Sequence, residues 1–126
     1  MFSFSYDAGR VLLTVVQQGY WTIDEFRDYE RQFYVHHRTI LQTRKSYRTI
    51  ADCRDYPVQS PEVSVAFEAL FQVLMAENKG PYAIIIASAL NKIQARRVIP
   101  YSHVELFSKD EWDKAMQWLF EEGSLP

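Results

Sequence analysis

Residues 47–67 read YRTIADCRDYPVQSPEVSVAF, a stretch that begins as a strand and ends as a helix. The apolar, β-branched run predicts a strand over Tyr47–Asp52. Ser60-Pro61-Glu62 then carries the chemistry of a helix start. A serine caps free amides, a proline stands where its missing donor does no harm, and an acid lies in the first turn. Between them, Asp52-Cys53-Arg54-Asp55-Tyr56-Pro57-Val58-Gln59-Ser60 gathers acids, a thiol, a guanidinium, a phenol and a hydroxyl. Such a loop is a catalytic centre, a switch read by a partner, or a well-capped turn.

The flanking chain extends the pattern. Val63, Ala66, Phe67, Leu70, Phe71 and Leu74 recur at helical spacing, and Asn78-Lys79-Gly80-Pro81 ends that helix. Tyr82–Ala87 is the most apolar strand and is expected at the centre of the sheet. A shorter helix is predicted over about Leu90–Arg97 and a last strand over Val104–Phe107. Ser108 with Glu111 forms a capping box for a final helix closed by Gly123, with Trp112, Ala115, Met116 and Leu119 facing inward. Upstream, Phe2–Tyr6 alternates aromatic and serine. Asp7-Ala8-Gly9 turns the chain into a second strand, Arg10–Gln17. Thr22 and Glu25 form another capping box, before a helix whose inward stripe is Phe26, Tyr29, Phe33, His37 and Ile40. The order β-β-α-β-α-β-α-β-α predicts one α/β domain over residues 1–126. Its five-stranded mixed sheet is mostly parallel, with about four helices. Loops after parallel strands gather ligands. Here they are Gln18–Trp21, Cys53–Ser60, Ser88–Asn91 and Ser108.

The 126 residues are 48% hydrophobic and 24% charged, the balance of a globular protein, and the net charge is −2. That charge lacks the basic excess of a dedicated nucleic-acid binder and gives no general attraction to anionic membranes. No apolar run approaches the ~20 residues of a membrane span. The start MFSFSYDAGR has no signal-peptide pattern, and the single cysteine, Cys53, suits a reducing compartment. A cytoplasmic protein is expected.

Two opening strands, a Gly19-Tyr20-Trp21-Thr22 entry to the first helix and a serine capping the second together resemble the SpoIIAA-like group. That group shares the STAS fold of anti-sigma-factor antagonists. The resemblance spans about Met1–Glu122 and rests on order and pattern rather than on one diagnostic string. It implies a regulatory module whose partner is a kinase-like or other regulatory protein, with Ser60 at the position phosphorylated in the antagonists. Their acid-serine-serine-glycine run is replaced here by Val58-Gln59-Ser60-Pro61, and Pro61 removes a backbone donor that could hold a phosphate. The wider group includes lipid-transfer-type domains, which makes a small apolar ligand the alternative.

The residues themselves nominate Ser60, Asp52, Arg54, Asp55, Tyr56, Tyr20 and Trp21 for a binding or switch surface. Ser60 is a phosphorylation candidate or a plain cap. Asp52, Arg54 and Asp55 bind a partner or brace the loop as an ion pair, and Asp52 is the acid expected to be buried. Cys53 lacks both a glycine-rich cradle and an arginine six positions on, since that position is Gln59, so an inert thiol is expected. His36 and His37 diverge by about 100° on a helix and cannot share a metal. His103 completes no ligand set, so no metal site, cofactor or catalytic set is expected. Arg38, Arg44, Lys45 and Arg48, with Lys92, Arg96 and Arg97, form an anion-binding surface or a solvated face. Trp118 lies off the inward stripe of its helix. It either packs on a neighbouring segment or marks an interface with a partner or a second copy of the chain. Tyr20, Trp21 and Tyr56 suit either an apolar ligand or a protein. The leading expectation is a non-catalytic module that binds protein through Arg54–Ser64, and the second is a carrier of a small apolar molecule.

Overall fold

The computed structural model describes residues 1–88, 95–96, 99–121 and 125. Five strands, β1 (Phe2–Asp7), β2 (Leu12–Gln18), β3 (Arg48–Asp55), β4 (Tyr82–Ile86) and β5 (Val104–Ser108), form one sheet in the order β1-β2-β3-β4-β5. β1 is antiparallel to β2, and the remaining neighbours are parallel. Three helices complete the described architecture: α1 (Ile23–Leu41), α2 (Pro61–Glu77) and α3 (Trp112–Glu121). The expected mixed, mostly parallel five-stranded α/β sheet is present. Of the helix expected over residues 90–97, Ala95 and Arg96 are described and helical, and the rest lies outside the described residues, as does Gly123.

Two of the three expected caps form as their chemistry requires. Thr22 Oγ1 accepts from the Glu25 amide at 3.2 Å, and Ser60 Oγ accepts from the Val63 amide at 3.2 Å. The Ser108 amide donates to Glu111 at 2.8 Å, but residues 109–110 turn and α3 begins only at Trp112, so Ser108 does not stand at its N-cap as the sequence predicts.

Parallel crossovers of one hand, stepping in one direction, put their helices on the same face of a sheet. The packing follows that rule. Phe26, Phe33 and Ile40 of α1 and Val63, Leu70 and Leu74 of α2 share a core with Leu13, Val15, Ala51 and Ile84. The opposite face, Leu12, Ile50, Ala83, Ile85 and Phe107, is covered by Ala115 and Leu119 of α3.

Two strand boundaries differ from the sequence reading by two residues or more. β2 begins at Leu12, because residues 8–11 turn and Val11 sits at φ 51°, in the left-handed region where a β-branched residue is uncommon. β3 runs on to Asp55, three residues past the end expected at Asp52. Asp55 pairs with Gln18, and Cys53 pairs with Ile86, so main-chain bonding carries the strand where hydrophobicity fades.

The end of α2 is joined to β3 by one side chain. Asn78, buried, accepts from the Tyr47 amide (3.0 Å) and the Gly80 amide (3.1 Å) and donates to the Tyr47 carbonyl (3.1 Å). A side chain on Gly80 would run into that carbonyl. His37 lies between the Tyr47 hydroxyl (2.6 Å) and Glu77 (2.9 Å), the core-facing place its spacing predicts, and braces α1 against α2 and β3.

Candidate functional site

The nominated residues converge on the edge where β2 and β3 end. The Gly19 amide donates to the Asp55 carbonyl at 3.0 Å. Gln59 ties the two loops together: its Oε1 accepts from the Trp21 amide at 2.8 Å, while its Nε2 donates to the carbonyls of Gly19 (3.0 Å) and Pro57 (2.7 Å). Sequence reasoning passed over Gln59 as the place where an arginine was absent. No local signal announces a clamp whose partner lies 38 residues away.

The same residues then divide between the two faces of the sheet. β3 continues through this stretch, so its side chains alternate. Asp52 and Arg54 point to the α3 side, where they form a bidentate pair at 2.9 and 2.7 Å and the guanidinium lies 5.3 Å from the Trp112 ring. The arginine holds the Asp52 carboxyl below its ordinary range. Asp52 is only partly buried, and the pair braces the strand end. Asp55 and Tyr20 are exposed. Trp21, expected at the open edge, is instead 1% exposed, with its indole 4.9 Å from Tyr56, 5.0 Å from Tyr29 and its N–H donating to the Gln18 carbonyl. An aromatic residue that follows Gly19-Tyr20 has room to turn into the core, and α1 begins immediately beneath it. Trp118 is partly buried against Phe107 (5.8 Å), the packing alternative for that residue. Arg48 reaches the carbonyls of Arg10 and Leu119 and lies over Phe120, and Arg96 pairs with Glu105, so these two cations of the basic sets brace structure.

Cys53 and Tyr56 face the other way, towards a cavity of about 590 Å³. Ala51, Cys53, Ile84 and Ile86 form its floor on the sheet. Phe67 and Phe71, ring to ring at 5.8 Å on α2, form one wall, and Ile99–Tyr101 another. Small side chains at Ala51 and Cys53 leave space on the sheet opposite Phe67 and Phe71. The strand order never reverses between parallel strands, so the crevice that a reversal opens is not available here. The opening lies under α2 instead.

Polar residues also border the cavity. Tyr56 and Tyr82 line the cavity, and their hydroxyls are buried with no hydrogen-bond partner among the described residues. The other two buried polar atoms without a partner, Thr49 Oγ1 and His103 Nε2, belong to residues outside the lining. Gln17, buried and also in the lining, accepts from the Tyr29 hydroxyl at 2.9 Å. Burial pushes the hydroxyls of Tyr56 and Tyr82 well up, and the nearby Cys53 thiol adds to both shifts. Burial likewise pushes the Cys53 thiol up, with Asp52 adding to it, the opposite of what a nucleophile needs. Among the described residues no group of three or more His, Cys, Asp or Glu is placed to hold a metal ion, and no helix is long and apolar enough to cross a membrane.

Comparison with known proteins finds no matching family model, curated protein or solved structure.

Proposed function

We propose that this chain is a non-catalytic, STAS-like module that binds or carries a small apolar molecule in the cavity beneath α2. One observation carries the reading: about 590 Å³ of space lined by Phe67, Phe71, Ile84 and Ile86. That volume falls in the range of ligand sites, which are apolar with a few placed polar groups, whereas packed cores leave few voids larger than a water. The element order and Ser60 at the start of α2 support the STAS-like assignment.

The test is a titration with N-phenyl-1-naphthylamine, an uncharged dye that brightens in apolar surroundings. Saturable one-to-one binding is expected. It is expected to vanish in Ser64→Trp, which fills the cavity from a half-buried position on α2 without disturbing the sheet. Absence of saturable binding to the parent protein refutes the proposal.

A second reading is a regulatory module that engages a protein through Arg54–Ser64. It is favoured by two apolar side chains left in solvent on either side of Ser60: Val58 at 69% and Val65 at 65% exposure. Ser60 would then act as the switch, since a phosphate there meets free amides at a helix start. If so, Ser60→Asp weakens partner binding in calorimetry, and unchanged affinity removes the switch.

A further inference from the structure

We propose that a second copy of this chain docks antiparallel on the outer face of α2, so that two α2 helices cross at Ala69 in a two-fold dimer. The inward face of α2, through Val63, Leu70 and Leu74, is buried in the core. Its outward face is apolar as well. Val65, Ala69, Val73 and Ala76 are all exposed, and helical geometry sets them in one stripe within an arc of about 80°. Glu68, the one charge between Val63 and Ala76, lies about 60° beyond the edge of that stripe. None of the four lines the cavity beneath the helix. A helix apolar on both faces is ordinarily covered on both, and a charge-free exposed stripe marks an interaction surface.

Spacing and charge select the occupant. Val65 and Val73 stand four residues before and four after Ala69, so the stripe reads alike in both directions. Laid antiparallel on itself, it sets Val65 against the partner's Val73 and Ala69 against the partner's Ala69, the self-complementarity that a two-fold contact requires. Alanine at the crossing lets the helix axes approach to about 8 Å. In that register Glu62 falls opposite the partner's Ala76. Arg38 of α1 stands beside that end of α2, lining one groove with Val73 and Glu77. Glu77 is engaged by His37, and among the described residues neither Glu62 nor Arg38, both exposed, has an ion-pair partner. Glu62 and Arg38 therefore pair across the interface twice, once on each side of the axis. An unlike partner would have no use for that symmetry.

Sedimentation equilibrium of the full chain in low salt, from about 1 µM to 1 mM, reads the dimer. Its single-helix contact falls below the standard interface size, so a micromolar dissociation constant is expected. Ala69→Arg places a good helix former at an exposed position, and is expected to keep the fold by circular dichroism while leaving the protein monomeric. Glu62→Lys and Arg38→Glu are each expected to weaken association about tenfold, since symmetry counts each change twice, and the two together to restore it. Ala69→Cys is expected to give a covalent dimer under mild oxidation, because residues at the axis meet their own copies. Val35→Cys, also exposed but on α1, is expected not to. A monomer throughout the concentration range overturns the proposal and leaves the stripe to a different partner. A dimer that survives Ala69→Arg overturns the choice of face. A double exchange that associates no better than the single ones overturns the antiparallel register.

Discussion

Gln59→Ala tests the geometry of the candidate edge most directly. The substitution removes three hydrogen bonds, and these are unequal. The carbonyls of Gly19 and Pro57 lie at an exposed position and recover water, so their loss is near neutral. The Trp21 amide is different, because it sits at the start of a residue with 1% exposure and loses its acceptor in a part-buried place. An orphaned donor of that kind costs about 1–3 kcal/mol. For a domain of this size the melting midpoint should fall by roughly 4–12 °C. Thermal unfolding followed by tryptophan fluorescence reads it, since Trp21 is the buried indole nearest the change. Hydrogen exchange supplies the local readout: the Trp21 amide is expected to lose protection in Gln59→Ala and to keep it in Gln59→Glu, which retains an acceptor oxygen. A melting midpoint within a degree of the parent, with the Trp21 amide still protected in the alanine variant, refutes the clamp.

Four further outcomes are expected. Asn78→Ala strips partners from three buried backbone groups of Tyr47 and Gly80 and should cost about 3–6 kcal/mol, much of a typical domain's stability; a urea midpoint equal to the parent's would contradict it. Ser60→Ala should lower stability by about 0.5–2 kcal/mol through loss of the Val63 contact, and calorimetry showing no change would leave the cap without energetic weight. Burial, assisted by Lys79, holds His103 below its ordinary value of 6.5. The unfolded chain therefore takes the proton first, and stability should hold above about pH 6.5 and fall as the pH drops towards the folded value. His103→Gln should flatten that slope between pH 7.5 and 5.5, and an unchanged slope would assign it to other groups. Cys53 should resist iodoacetamide at pH 8 in the native protein and react once unfolded in urea; fast native labelling would place the thiol in solvent.

Local chemistry announced most of the fold. Thr22 and Ser60 open helices because capping is settled within four residues. The stripe from Val63 to Leu74 faces the core because its period is helical. What lay beyond reach depended on neighbours distant in sequence. Cys53-Arg54-Asp55 has no strand-like composition, and pairing with Gln18 on one side and Ile86 on the other makes it a strand. That extension sorts Asp52 and Arg54 away from Cys53 and Tyr56, so a loop that looked like one polar cluster became two surfaces back to back. The cavity was equally illegible. Its volume is what remains when Phe67 and Phe71 meet Ala51 and Ile84, residues that identify themselves only as apolar.

The two sides of the sheet are also completed at different times. As the chain leaves the ribosome, α1 and α2 emerge between the strands they cover, so one layer of the protein can form while synthesis continues. The layer behind it waits for α3, the last element described, and until then Leu12, Ile50, Ala83, Ile85 and Phe107 have no roof. A nascent chain halted before residue 112 would display a greasy plane ready to stick to a chaperone or to its own kind. The ten residues from Trp112 to Glu121 decide when that exposure ends.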